Sequence, residues 1–492
     1  MSGRLRAYSR RVGVVGAVAV FALTIGTPAV RGASPTAPAD TTAVSAALAN
    51  RAGFFVAPAA PLPVMPAPTA AGVASALAAP LADPALGPGV VASVMDPNTG
   101  AMLYDSGALT PTIPASSVKI LTSAAVLKYL DDDAVLTTRV MQAADGTLIV
   151  VGAGDPQLQR DSDGAGASLD LLAALTVQSL RAQASAAAAS ANPEVSATAA
   201  PTSPQPTAPV RVAVDDALFT GPTTVPSWSP TLLAECIVRP ITALAVQPAP
   251  GAPCQPEADP ALAAGEMFAA ELAERGVAVT PGVTRAAANT TDVQLAAADS
   301  QPVATLVESM MLESDNTAAE MLAHLAGGAA VGQASFAGGA QATAAVVAQL
   351  GIPAAGMSLA DASGLSREDA VPPATIARML TTTLGAPGAA STPAETRTAS
   401  SWLWPVSSGL PVAGFDGTLS NRFETASTAA GRGDVRAKTG TLTGVSALAG
   451  QVVTAQGQLL VFVFITPTAS DTTAARAALD NAASALANCG CG

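Results

Sequence analysis

Two hydrophobic rhythms divide this chain. Gly89-Val90-Val91-Ala92-Ser93-Val94-Met95 reads as a buried strand, Asp96-Pro97-Asn98-Thr99-Gly100 as a turn, and Ala101-Met102-Leu103-Tyr104 as its antiparallel return. After Pro114 the apolar and small residues from Ser117 to Leu127 predict a mostly buried helix with Ser116 at its start. Alternation over Thr137–Val151 about an Ala144-Asp145-Gly146 turn predicts a second hairpin, and Val210–Val214 a further strand. Helical periodicity marks Ala261–Arg275, closed by Gly276, and Val303–Leu325. Near the C-terminus, Val445–Val453 and Leu459–Ile465 read as strands joined at Gln456-Gly457, followed by a helix over Asp471–Leu486. The pattern predicts an α+β fold, a helical cluster packed on an antiparallel sheet.

Other stretches lack these rhythms. Residues 34–86 are rich in alanine and proline and read as a solvated tether or a loose wrapping segment. Residues 182–209 hold almost no large apolar side chain and read as a disordered excursion. Arg4, Arg6, Arg10 and Arg11 precede an apolar run from Val12 to about Ala29, the layout of a secretory signal within residues 1–33 whose length also suits an uncleaved membrane anchor.

Composition narrows the function. Half of the 492 residues are apolar, enough for a large core, and the net charge of −13 argues against a nucleic-acid partner, which needs a basic surface to release counterions. Export places Cys236, Cys254, Cys489 and Cys491 where disulfides persist, with three connectivities open. A lone histidine, His324, on a helical stretch beside Leu322 and Leu325, reads as a packed residue; it leaves no basis for a histidine-rich metal site and little for a serine–histidine–aspartate triad. No cofactor or metal is implied.

The candidate chemistry lies in lysines. The chain has three, Lys119, Lys128 and Lys438, and two of them belong to short motifs: Ser116-Ser117-Val118-Lys119 and Lys438-Thr439-Gly440-Thr441, with Ser314-Asp315-Asn316 between. A hydroxyl is a poor nucleophile until a base takes its proton, and three residues along a helix bring Lys119 to the face of Ser116. Lys119 must be neutral to act, which requires burial and a nearby positive charge; Lys438 is the expected source of that charge. A backbone N–H at the helix start supplies half an oxyanion hole. Each motif alone has a bland reading: Ser116 as a helix cap, Ser190-Ala191-Asn192 as a chance match to the second pattern, and Lys438-Thr439-Gly440 as a turn. All three in order describe a serine acyl-transfer site.

At these motifs the chain resembles the D-alanyl-D-alanine carboxypeptidase/endopeptidases of the DacB type, the class C low-molecular-mass penicillin-binding proteins. The resemblance extends from about Gly89 to Ala487 and includes Gly152-Ala153-Gly154-Asp155-Pro156, Val214-Asp215-Asp216-Ala217-Leu218-Phe219, Asp361-Ala362-Ser363-Gly364-Leu365-Ser366-Arg367, and Asp416-Gly417-Thr418-Leu419. It implies a penicillin-binding-protein/β-lactamase-like transpeptidase fold, with catalytic residues 87–136 and 287–492 flanking an insert over 137–286. It further implies that Ser116 is the nucleophile, Lys119 the base, Ser314 and Asn316 a proton shuttle and amide holder, and Lys438 the tuner of that shuttle and, with Thr439 and Thr441, a ligand of the substrate's terminal carboxylate. Thr439, Gly440 and Thr441 would bind substrate. Asp155 and Arg367 match positions that grip a diaminopimelate-type side chain. The implied partners are peptidoglycan stem peptides and, as covalent inhibitors, β-lactam antibiotics, with membrane association through the N-terminal segment. The alternatives are a β-lactamase or esterase on the same scaffold, or a cell-envelope binding protein without turnover.

Overall fold

The computed structural model describes residues 66–162, 164–191, 209–249, 251–385 and 401–492. The first sheet joins β1 (Val91–Met95), β2 (Met102–Ser106), β8 (Val435–Leu442), β9 (Val445–Val453) and β10 (Leu459–Thr466), in the order β2-β1-β10-β9-β8 and antiparallel throughout. Sequence-distant β1 and β10 pair at its centre, Val91 opposite Ile465. Both faces of β10 are covered, which is why it is an almost unbroken apolar run. Val461, Val463 and Ile465 face one core, and Leu460, Phe462 and Phe464 the other.

Most of the longer helices pack on those two faces. Among the described residues the helices of eight residues or more are, in chain order, α1 (Ala70–Leu77), α2 (Lys119–Leu130), α3 (Leu169–Ala191), α4 (Pro260–Glu274), α5 (Val303–Glu313), α6 (Asn316–Val331), α7 (Phe336–Gln349), α8 (Pro373–Thr383) and α9 (Thr472–Ala487). Side chains of α2, α5, α6, α7 and α8 fill the larger core, while α1 and α9 cover the opposite face. Local chemistry fixes the starts of several: Asp259 accepts from Leu262 N ahead of α4, Asp315 from Ala318 N ahead of α6, and Asp471 from Thr473 N and Ala474 N ahead of α9.

The second sheet, in order β6-β5-β4-β3-β7, is mixed. It contains β3 (Thr137–Gln142), β4 (Leu148–Val151), β5 (Val212–Asp215), β6 (Thr284–Arg285) and β7 (Val293–Asp299), with α3 and α4 packed against it around Leu172, Phe268 and Leu272. Thr137 at the start of β3 pairs with Asp299 at the end of β7, so this sheet extends past residue 286, where the sequence reading ended the insert.

Three other expectations change. Residues 70–86 are not a solvated tether: α1 and two single turns of 3-10 helix, Pro80–Ala82 and Pro84–Leu86, bury Val73, Leu77 and Leu86 in the smaller core. Residues 182–191 continue α3 as an alanine-rich helix, exposed over 185–190, in keeping with alanine's high helix propensity, while 192–208 lie outside the described residues. The single helix expected over Val303–Leu325 is two, broken at Ser314, whose φ of 60° and ψ of 34° are left-handed. The proposed signal or anchor also lies outside the described residues. Among those residues, no helix is long and apolar enough to cross a membrane.

Candidate active site

Ser116 lies in a 3-10 turn over Ala115–Val118 that runs directly into α2. Ser117 ties this turn down by donating to Pro114 O at 2.6 Å. Ala115 takes a positive φ of 47° and lies against Gly364, where a Cβ would fall 2.0 Å from the Ala115 carbonyl oxygen. Only glycine allows that approach. The result is a half-buried Ser116 over a fully buried Lys119.

Lys119 Nζ donates to Ser116 Oγ at 3.0 Å, Asn316 Oδ1 at 2.7 Å and Ser363 O at 2.7 Å. Asn316 is oriented in turn by its own donation from Nδ2 to Ile237 O at 2.8 Å. The break at Ser314 has a clear structural effect. A left-handed non-glycine residue costs on the order of 1–3 kcal/mol, and here it aims the serine hydroxyl into the site while Asp315 restarts the helix. Lys438, on edge strand β8, donates from Nζ to Ser314 Oγ at 2.7 Å and to Thr439 O at 3.0 Å. The three motifs therefore form one continuous chain of contacts.

Burial dominates the electrostatics of both lysines. Burial is the main cause that lowers Lys119 to about 8; the nearby carboxyls of Asp361, Glu320, Asp315 and Asp369 oppose the shift. Burial holds Lys438 well below its ordinary value, and the charge on Lys119 lowers it further.

The other expected residues divide. Thr439 Oγ1 donates to Thr418 Oγ1 at 3.0 Å, and Thr441 Oγ1 accepts from Arg476 Nε at 3.3 Å. Gly440 is packed so that a Cβ would stand 3.1 Å from Ala115 Cβ and 3.0 Å from Ala447 Cβ, which keeps β8 close against the nucleophile's turn. Arg367 is exposed and donates to Thr443 O. Asp155 is 3% exposed; its Oδ1 accepts from Gln157 N at 2.8 Å and its Oδ2 has no partner. Among the described residues no ion pair joins Asp155 directly to Arg367.

Sequence reasoning missed the support beneath the site. Glu320, one helical turn after Asn316 on α6, is fully buried and accepts from Ala362 N at 3.0 Å and Ser363 N at 2.7 Å. Asp361 accepts from Gly364 N and Ser366 N, both at 2.7 Å, and from Trp228 Nε1 at 2.7 Å. Burial first, then the charge of Asp361, raises both Glu320 and Asp369 above the usual carboxyl range. The insert thus holds the loop whose Ser363 carbonyl receives Lys119. The i, i+4 spacing of Asn316 and Glu320 on a helix of mostly apolar and small residues was the available signal. A cleft of about 730 Å³ opens beside Ser314 and Asn316, walled by Ile237, Arg239, Glu257 and the Cys236–Cys254 disulfide. The second disulfide pairs Cys489 with Cys491.

Sheet, helical cluster and insert together define an α+β protein of the penicillin-binding-protein type. The fold matches that of penicillin binding protein 4 (dacB) from Haemophilus influenzae, with a TM-score of 0.62 and 21% identity over 84% of this chain and 97% of that one. The same protein complexed with a novel β-lactam gives a TM-score of 0.56 and 20% identity, at 84% and 97% coverage. The chain belongs to the D-Ala-D-Ala carboxypeptidase 3 (S13) family, whose model matches residues 73–252 and 249–488. It is 34% identical over 443 residues to carboxypeptidase DacB of Mycolicibacterium smegmatis, spanning 87% of this chain and 86% of that protein. It is 33% identical to carboxypeptidase Rv3627c of Mycobacterium tuberculosis, over 86% and 85% of the two chains. The protein is accordingly a serine-type D-Ala-D-Ala carboxypeptidase.

Proposed function

We propose that Ser116 carries the acyl group. Its hydroxyl proton passes to neutral Lys119 as Oγ bonds to the carbonyl carbon between two terminal D-alanines. The carbonyl oxygen becomes an oxyanion held by the backbone N–H groups of Ser116 and Thr441. The C–N bond then breaks, and the leaving amine takes its proton through Ser314, which is hydrogen-bonded to Lys438. Water resolves the ester, returning Ser116 and releasing the shortened peptide. Asn316 holds the substrate amide, and Thr439 and Thr441 meet the terminal carboxylate. The observation that supports this reading most strongly is the 3.0 Å contact from Lys119 Nζ to Ser116 Oγ, made by a fully buried lysine beside a half-buried serine.

The partners in this reading are peptidoglycan stem peptides, and β-lactams as covalent inhibitors. Its place of work is outside the cytoplasm, supported by the arginine-led apolar N-terminus and two disulfides, with attachment to the membrane through that segment. The open cleft beside Asn316, walled by the insert, suits a longer peptide and supports endopeptidase action on crosslinked stems. Incubation with a pentapeptide and with a crosslinked muropeptide tests it: free D-alanine from the first and separated stems from the second are expected. A protein that hydrolyses penicillin rapidly but neither peptide would instead be a β-lactamase.

A further inference from the structure

Recognition of a terminal carboxylate calls for a cation, and the motif lysine is poorly placed to supply one. Lys438 is fully buried, with its Nζ engaged by Ser314 Oγ and Thr439 O. Burial also disfavours its charged form. The hydroxyls of Thr439 and Thr441 are neutral and leave the charge unanswered.

Alternation along β8 shows where a cation can enter. Val435 and Ala437 belong to the core beneath α9, so Thr439 and Thr441, at the same parity, face that side, while Lys438 and Gly440 face the turn of Ser116. Arg476 on α9 reaches the same side, donating from Nε to Thr441 Oγ1 at 3.3 Å. It is exposed, and among the described residues it makes no ion pair, nor do its Nη nitrogens make a hydrogen bond. The nearest acid is already occupied: Asp480 is bound by Arg422 at 2.5 Å. Partial burial first, and Arg422 second, lower the pKa of Arg476, so an anion arriving here relieves an existing electrostatic cost.

We propose that Arg476 binds the α-carboxylate of the substrate's terminal D-alanine, acting from α9 alongside Thr439 and Thr441 to select peptides that end in a free acid. The guanidinium presents planar paired donors to a planar anion, and its Nε contact with Thr441 fixes the fork at the strand edge. The inference rests on the reading that these threonines meet the carboxylate.

The test compares kcat/KM for a peptide ending in D-Ala-D-Ala with that for its C-terminal carboxamide, in the full-length protein and in Arg476→Gln, Arg476→Lys and Thr441→Val. For Arg476→Gln we expect a loss of about 10- to 100-fold on the free acid, mostly in KM, and almost none on the carboxamide, as for removal of a hydrogen bond to a charged group. Arg476→Lys should regain part of it. Equal losses on both substrates would make Arg476 merely structural and overturn the proposal. Retained acid preference in Arg476→Gln, together with its loss in Thr441→Val, would overturn the arginine's role and leave the threonine reading standing. Retained preference in both variants would remove both.

Discussion

Lys438 Nζ lies 2.7 Å from Ser314 Oγ, although 124 residues separate the strand carrying one from the helix break carrying the other. That contact closes the circuit from β8 to the nucleophile, because Asn316, two residues beyond Ser314, holds Lys119. Lys438→Ala should therefore leave the fold intact enough to purify but slow acylation by about 10²- to 10⁴-fold, the range for loss of a positioned proton-transfer group. Stopped-flow labelling with a fluorescent penicillin measures this. A rate within about threefold of the parent would remove Lys438 from the shuttle.

A pH profile follows from the burial of Lys119. A base must be unprotonated, and its pKa is lowered to about 8, so the acylation rate should rise with pH about tenfold per unit below that value and level off above it. Without the shift the rise would continue toward 10.5. The acylation rate constant measured from pH 6 to 10 distinguishes the two.

The left-handed conformation at Ser314 predicts an unusual mutational pattern. Ser314→Gly keeps the backbone at ease and removes only the hydroxyl, so thermal stability should hold or rise while turnover falls by about 10²- to 10³-fold. Ser314→Val should lose both, since a β-branched residue resists positive φ. Melting curves set beside D-alanine release report the two effects separately.

Much of this was readable from sequence because each motif requires only a local geometry. Ser116 and Lys119 share a helix face by spacing alone, and the strands carrying Val445–Val453 and Leu459–Thr466 announce themselves as apolar runs. What sequence hid was set by partners far along the chain. The break at Ser314 is imposed where two helices must turn a hydroxyl toward β8, with no glycine or proline to mark it. Residues 70–86 look like a tether because alanine and proline mask three well-spaced apolar anchors, Val73, Leu77 and Leu86. The depth of Asp155 was hidden as well: its motif singles out the carboxylate, but nothing local marks it as buried.

Asp155 yields a stability prediction. Burial raises its carboxyl from 3.8 to about 6, so the native state binds more protons than the unfolded one across that window, and the stability this gives at low pH is lost as pH rises through about 6. Asp155→Asn removes the titration. Its stability relative to the parent should therefore increase by roughly 2–3 kcal/mol between pH 3.5 and 7, read from urea unfolding at each pH. A constant difference would show that the carboxyl does not titrate in the fold as described.

Glu320 supports the loop that receives Lys119, through backbone donors of Ala362 and Ser363. Glu320→Ala leaves those buried N–H groups unpaired, costing about 1–3 kcal/mol for each group left unmade. Glu320→Gln keeps an acceptor and should recover much of the stability. A melting temperature for Glu320→Ala equal to that of the parent would contradict this role.

The central claim is that Ser116 forms the covalent bond, and it is tested most directly by intact and peptide mass spectrometry after brief exposure to a penicillin. The account predicts one adduct, localised to the peptide bearing Ser116 and absent from a folded Ser116→Ala variant. An adduct on another residue, or one that persists in Ser116→Ala, would contradict it.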